Sequence, residues 1–319
     1  MRGLTQCLAV GFAFGVVASC AGNPATGGRN APPTLSSYSV DEQRTALASW
    51  IGVEERLLRV ALPLMTANTA LCREDVTPWL GIYAVTDASF EPEWRPAARS
   101  MLGVGREPVV IYNIPETPAY RAGLRRGDVI KAINGQSLSE RAASPVTQDQ
   151  WLAEAGAQDF LDLVYERDGM IGAVRVQTAE RCNYGVVLED NRRINAYADG
   201  ANVIISTGLL DFVESEEELA LIISHEMAHN ALDHVDSRRE NARSGAVSGL
   251  LIDLLFGAAG IETNGEFTRA GMAAGAITYS IDYENEADYV ALYYMARAGV
   301  DGGPELAGFW RRGGGIDSD

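Results

Sequence analysis

Lysine is almost missing from this chain of 319 residues: Lys131 is the only one, and every other basic side chain is arginine. The 26 basic residues face 43 acidic ones, for a formal charge of −17. That balance excludes wrapping of nucleic acid, which needs clustered cations to replace the counterions of phosphates. Four cysteines are too few for a disulfide-built scaffold in a chain of this length. Past the first 20 residues no long apolar run exists. The nearest, Gly245 to Ile261, has 17 residues with Asp253 in the middle, short of a comfortable spanning helix. Histidine is scarce too, and all three, His225, His229 and His234, fall within ten residues. What remains is ordinary globular material, 47% hydrophobic and 22% charged, enough for two domains.

The N-terminus reads as a targeting segment. Arg2 supplies a positive start, and Leu8 to Val17 runs apolar for ten residues, the length of a secretory core and too short to span. It ends Val17-Ala18-Ser19-Cys20, which resembles a bacterial lipobox. The resemblance implies a lipidated Cys20 as first mature residue, with Ala21 after it sorting the chain to the outer membrane, facing the periplasm. Residues 21–38 are rich in Pro, Gly, Ser and Thr and suit a flexible tether. With Cys7 removed in the leader and Cys20 acylated, Cys72 and Cys182 remain as a disulfide candidate in an oxidising compartment.

Residues 39–75 open with a capping box, Ser39 and Glu42, and continue at helical spacing through Leu47, Ile51, Leu58 and Leu64, with Pro63 as a possible kink. Residues 76–181 have a β-rich texture. Within them Thr117 to Gly135 resembles the core of a bacterial PDZ domain: a short helix, Ala122-Gly123-Leu124, Gly127-Asp128, a strand and an Asn134-Gly135 turn. Glycines allow the tight backbone turns, and Asn-Gly suits a hairpin. The resemblance implies capture of an extended peptide by strand addition. Leu80-Gly81-Ile82 and Leu102-Gly103-Val104-Gly105 both qualify as its carboxylate-binding loop. Cys72 and Cys182 flank this segment, where a bridge would clamp an inserted domain at its base.

The remainder, residues 182–319, begins with short strands and turns. A second capping box, Ser215 with Glu218, sets a helix start in an acidic run that suits the positive end of the helix dipole. Inside that helix stands His225-Glu226-Met227-Ala228-His229. Histidines at i and i+4 share one face, so both imidazoles can reach one metal, and two imidazoles suit zinc. Glu226 beside them can serve as general base towards water acidified by the metal. His234 does not fit the HExxHxxGxxH pattern, which would need Gly at 232 and His at 235 where the chain has Leu232 and Val235. Polar structure at the helix end is its expected role. The better third ligand is Glu284, with Asp288 at i+4 on the same face of a second helix to hold a ligand histidine in one tautomer. Glu286 points elsewhere on that helix and is the weaker alternative.

HEMAH followed about 55 residues later by Glu284-Asn285-Glu286-Ala287-Asp288 resembles the HtpX-like and CAAX-prenyl-protease-like zinc metalloendopeptidases, metallopeptidase family forty-eight. The likeness covers about 40–72 and 183–312. It implies an α+β fold: a helical zincin-type domain with a small β-sheet, here interrupted by the PDZ-like domain. It implies Glu284 as third ligand to one zinc per chain, and an edge strand at Asn195, Ala196 and Tyr197 that holds substrate extended. Relatives often continue with a His-Pro and Arg-containing segment, whereas this sequence ends at Asp319. The stabiliser of the transition state is thus unassigned, with Tyr283, Arg311 and Arg312 as substitutes. The expectation is a lipid-anchored envelope endopeptidase acting on polypeptides, with a possible peptide ligand of the PDZ-like domain. The alternative is a PDZ-based assembly factor whose zinc site is occluded or structural.

Overall fold

The computed structural model describes residues 39–138, 159–258, 263–277 and 280–302. The leader, Cys20, the 21–38 tether, Arg311 and Arg312 lie outside the described residues. The chain divides into two compact units. One takes the chain up to Arg59 and from Pro78 to Glu180; the other takes Val60–Thr77 and the chain from Arg181 onward.

Helix α1 (Val40–Ala67) begins at the capping box expected from Ser39 and Glu42: the Ser39 amide donates to Glu42 Oε2 at 2.7 Å, and the Glu42 amide to Ser39 Oγ at 3.3 Å. The helix runs unbroken past Pro63, so the proline does not divide it. Residues 39–75 were expected to belong wholly to the helical domain. Instead the half of α1 up to Arg59 groups with the β-rich unit, because Glu54 accepts from the Tyr112 hydroxyl at 2.5 Å and Glu55 pairs with Arg126 at 2.9 Å. Those partners lay too far along the chain for periodicity to reveal.

In the β-rich unit the main sheet has the order β2-β3-β4-β6-β7, with β2 (Tyr83–Val85), β3 (Val109–Tyr112), β4 (Val129–Ile133), β6 (Phe160–Arg167) and β7 (Met170–Gln177); β5 (Gln136–Ser137) pairs with β4. Short helices α2 (Arg95–Leu102) and α3 (Pro118–Arg121) accompany it. Its core gathers Leu80, Val110, Ile130, Leu161, Leu163 and Val176, nearly all fully buried. Asn134 and Gly135 take φ of 47° and 78°, the left-handed pair that a tight hairpin between β4 and β5 requires. Gly103 is the left-handed C-cap of α2. Gly81, with φ of 72°, precedes the outer strand β2, and a Cβ there would meet Thr117 Cβ at 2.5 Å. Of the two competing loops, Leu80-Gly81-Ile82 therefore leads into a sheet edge and Leu102–Gly105 ends a helix. The Gly127-Asp128 pair has a second use: the fully buried Asp128 carboxylate accepts two bonds of 2.6 Å from Arg167 and one of 2.7 Å from the Arg125 amide.

Strands β1 (Val76–Trp79) and β8 (Ala179–Cys182) pair with each other as a two-stranded sheet. There Cys182, the last residue of β8, forms a disulfide with Cys72, with Cα atoms 5.6 Å apart and a sequence separation of 110.

The helical unit holds a three-stranded sheet of order β10-β11-β9: β9 (Gly185–Glu189), β10 (Ala196–Ala198) and β11 (Asn202–Ser206). β11 runs parallel to β9 and antiparallel to β10, so β10 is an outer strand. Helix α4 (Thr207–Phe212) leads to α5 (Glu216–Ala231), which starts as expected with Ser215 accepting from the Glu218 amide at 3.2 Å. α6 (His234–Ala258) and α7 (Glu266–Ile277) pack as a hairpin, followed by α8 (Ser280–Arg297). On α6 the side chains Val247, Leu250, Leu251 and Leu254 are exposed. Asp253 caps α7 from outside: it accepts from the Thr268 amide at 2.9 Å, the Thr268 hydroxyl at 2.6 Å and the Thr263 hydroxyl. Among the described residues no helix is long and apolar enough to cross a membrane.

Candidate metal centre

Two helices build the site because small side chains let them meet. α5 is buried along most of its length, with Ala220, Ala228 and Ala231 among its packed residues; α8 buries Ala287, Ala291, Tyr294 and Met295 at helical spacing. α8 is also seated on the end of α1: Asn68 Nδ2 donates to the Tyr294 carbonyl at 2.9 Å, and Arg297 donates to the Ala67 carbonyl at 3.1 Å. Glu284 and Asp288, one turn apart, thus face His225 and His229, one turn apart on α5.

The donor atoms converge. His225 Nε2 and His229 Nε2 are 3.0 Å apart, and Glu284 Oε2 stands 3.2 Å from the first and 3.6 Å from the second. A tetrahedral ion with bonds of about 2.0–2.1 Å to nitrogen and oxygen needs donor separations of about 3.3 Å. The three measured edges bracket that value. Two imidazoles with one carboxylate are a donor set that zinc accepts, and one corner of the tetrahedron is left for a fourth ligand. Among the described residues, His225, His229 and Glu284 are the group of three whose ligand atoms lie close enough to hold one ion.

The surroundings favour a cation. Burial works to lower the His225 pKa, but the hydrogen bond with Glu284 and the charges of Glu226, Asp288 and Glu284 outweigh it and raise it. Hydrogen bonds from His225 and His229 hold the Glu284 carboxyl far below the usual carboxylate range. Burial pushes Glu226 up, against the pull of His225 and His229 and of a hydrogen bond from the Ala198 amide at the end of β10. That last bond links the general-base candidate to the outer strand. Asn230 makes a further link: its Nδ2 donates to the Asn202 carbonyl at 3.0 Å, and its Oδ1 accepts from the Gly200 amide at 2.8 Å. The β10–β11 turn is therefore pinned to the helix that carries both histidines.

Asp288 stands where expected, its Oδ1 2.9 Å from His225 Nδ1. Tyr197 projects half-exposed from β10, paired with Ile204 of β11, and Ala196 pairs with Ile205. Asn195 precedes the strand, its amide donating to Ser206 Oγ at 3.0 Å. His234 starts α6 as buried polar structure at a helix end, and its Nδ1 lies 3.1 Å from His229 Nδ1. Glu286 is not one of the three converging donors; its Oε2 lies 3.3 Å from His234 Nε2. Arg238 was not singled out from the sequence, and it donates to Glu284 Oε1 at 3.3 Å. It sits on α6, and nothing in a one-dimensional spacing relates it to a residue 46 positions later.

Residues 168–310 match the profile of Peptidase family M48, and residues 109–148 match that of a PDZ domain. Over these residues the chain is similar to Peptidase family M48 and to a PDZ domain. The M48 match spans both motifs, from His225 to Asp288, so the three converging donors fall inside it. Relatives include the beta-barrel assembly-enhancing protease of Escherichia coli K12, 29% identical over 122 residues, which are 36% of this chain and 25% of that protein. A similarly named protein of Vibrio cholerae is 36% identical over 119 residues, 35% of this chain and 24% of that one. The chain thus spans about a quarter of the length of these curated relatives. Among solved structures, the HtrA3 PDZ domain bound to a phage-derived ligand is 19% identical and covers 33% of this chain and 88% of its own, at a TM-score of 0.24.

Proposed function

We propose that this chain is a zinc metalloendopeptidase of the bacterial cell envelope, tethered through a lipid on Cys20 and acting on envelope proteins that have failed to assemble. The observation that carries the reading is the convergence of His225, His229 and Glu284 on one point with Glu226 beside them. When bound there, zinc supplies Lewis-acid polarisation of a carbonyl and acidifies water. Glu226 takes the proton from the attacking water and returns it to the leaving amine as the peptide bond breaks. Asp288 accepts from His225 Nδ1–H, which leaves Nε2 with its lone pair inward. Substrate lies extended along β10 through backbone hydrogen bonds, with the strand held in place by Asn230. The relatives' name refers to assembly of β-barrels, and an outer β-strand is suited to chains with unpaired strand edges. The PDZ domain, through the Gly81 loop and β2, holds a peptide segment for the same site.

The test uses the chain with Cys20→Ser and follows bound metal and casein cleavage for that protein and its Glu226→Gln form. The expected result is about one zinc per chain in both, with cleavage lowered at least about 100-fold by Glu226→Gln, the range for removing a general base. Folded protein that takes up no zinc, or cleavage unchanged by Glu226→Gln, would overturn the assignment.

A further inference from the structure

His229 has two ring nitrogens, and the metal reading uses only Nε2. Its Nδ1 faces His234 Nδ1 at 3.1 Å, and His234 Nε2 faces Glu286 Oε2 at 3.3 Å. We infer that His234 and Glu286 are a positioning pair that fixes His229 in the tautomer whose Nε2 can ligate; this rests on the metal-site reading above.

The argument is one of proton count. A neutral imidazole carries one N–H and one lone pair. A carboxylate is an acceptor, so the 3.3 Å contact with Glu286 Oε2 favours the His234 tautomer with its proton on Nε2. His234 Nδ1 is then a lone pair and can only accept. His229 then places its proton on Nδ1 to meet it, which leaves its Nε2 free to ligate a metal. Reverse the His234 tautomer and the chain inverts: His234 Nδ1–H donates, and the His229 proton moves to Nε2, where it blocks the metal. Glu286 is thus the group that decides. The pair does for His229 what Asp288 does for His225, with one extra imidazole because Glu286 is too far to reach directly.

The local backbone makes this possible. On a continuous helix, His229 and His234 would be five positions apart, about 140° around the axis, and could not touch. α5 ends at Ala231, and Asp233 takes φ of 57°, a left-handed residue that breaks the helical path. His234 starts α6 on the far side of that break and folds back on His229. Its ring stacks on Tyr283 at 4.4 Å between centroids and 16° between planes, and only 3% of its surface is exposed. A ring clamped in this way has one available orientation. Glu286, by contrast, is about half exposed, so removing its carboxylate does not open the core.

The experiment uses the chain with Cys20→Ser and compares it with His234→Ala, His234→Gln and Glu286→Ala. One measurement is zinc affinity by competition with a chromophoric chelator. The other is 15N NMR of labelled histidine in the metal-free proteins at about pH 8.5; all three histidines of the chain belong to the cluster, so the spectrum is short. In the parent, His229 is expected as the Nδ1–H tautomer and His234 as Nε2–H. Glu286→Ala and His234→Ala are expected to weaken zinc binding about 10–100-fold, as loss of an outer partner of a ligand histidine does. In Glu286→Ala the His229 signals move towards the other tautomer. His234→Gln, whose amide can accept from His229 and donate to Glu286, restores most of the affinity. The inference is overturned if Glu286→Ala, with its surface location, binds zinc within twofold of the parent and leaves the His229 tautomer unchanged. A parent that binds no zinc, or a His229→Ala form that binds it equally well, overturns the metal site and the positioning role with it. Zinc bound by the parent with unmoved variants overturns only the positioning role.

Discussion

The Cys72–Cys182 bridge offers a measurement of how the two units depend on each other. It closes a loop of 110 residues. In the chain-entropy treatment, a loop of that length constrains the denatured chain by about 4.8 kcal/mol at 25 °C. That figure assumes the whole loop is unfolded when the helical unit unfolds. The loop, however, contains every strand of the main sheet of the β-rich unit, and its ends are already paired by β1 and β8 and by the Asn183 amide donating to the Asp75 carbonyl at 2.8 Å. If the β-rich unit stays folded, the bridge closes only about eight flexible residues, worth about 2.5 kcal/mol by the same relation. The assay is urea unfolding of the Cys20→Ser chain, oxidised and reduced, with chelator present so that zinc linkage does not enter. Comparing one sequence in two redox states avoids the cavities that Cys→Ala would leave at two fully buried positions. A loss near 2.5 kcal/mol on reduction means the β-rich unit persists as a separate folding unit; a loss near 4.8 kcal/mol means the units unfold together. A loss below about 1 kcal/mol would refute the entropic reasoning itself.

Asp128→Ala should destabilise the β-rich unit by about 3–5 kcal/mol, because it strips the partner from Arg167 and leaves the Arg125 amide without its acceptor. Zinc affinity should stay within twofold, and chelator competition beside a thermal melt checks both. Asp253 gives a pH dependence. Hydrogen bonds from Thr263 and Thr268 lower its pKa to about 2, below the usual carboxylate value near 4. A carboxyl depressed on folding stabilises fully above the unfolded pKa, and that contribution fades as pH falls through the folded one. The start of α7 should therefore loosen as pH drops from about 4 through 2, and Asp253→Asn should flatten the response in that window. Backbone chemical shifts of Phe267 and Thr268 along an acid titration report it, and an unchanged titration in Asp253→Asn would count against the cap.

The chemistry of the centre was legible where it lay on unbroken helices. His225 with His229, and Glu284 with Asp288, are each i,i+4 pairs, and a regular helix converts that spacing into a shared face. The third ligand was the harder step, since no spacing rule links residue 229 to residue 284. The likeness to a known family pointed to Glu284, and the packing of Ala287 and Ala291 explains how the second helix comes close enough. The strands were legible in outline from short apolar runs bounded by Asp190-Asn191 and Asp199-Gly200. The assignment of α1 was not, because its first half is claimed by Tyr112 and Arg126, two contacts that depend on tertiary structure.

His234 shows why a correct rule can still mislead. Its position does not fit HExxHxxGxxH, and on that ground it is not expected as a ligand; it is not one of the three converging donors. Five positions on a continuous helix would keep the two rings apart, but the helix ends at Ala231 and the chain turns at Asp233. Leu232 and Asp233 carry no glycine or proline to mark the break. Asp233 reaches the left-handed region through its own side-chain chemistry, which Asp and Asn tolerate better than most residues. A short polar residue after an apolar helix was the one available signal, and it marks where a turn could return the chain. The scarcity of histidine carried the rest of the information. A chain that places all three of its imidazoles within ten residues and bonds them in one line, from Glu286 through His234 and His229 to His225 and Asp288, has a carboxylate at each end of that line and a third, Glu284, at its centre. With an ion in place, each terminal carboxylate holds a proton facing outward, and both Nε2 atoms can turn their lone pairs, with Glu284, towards the metal.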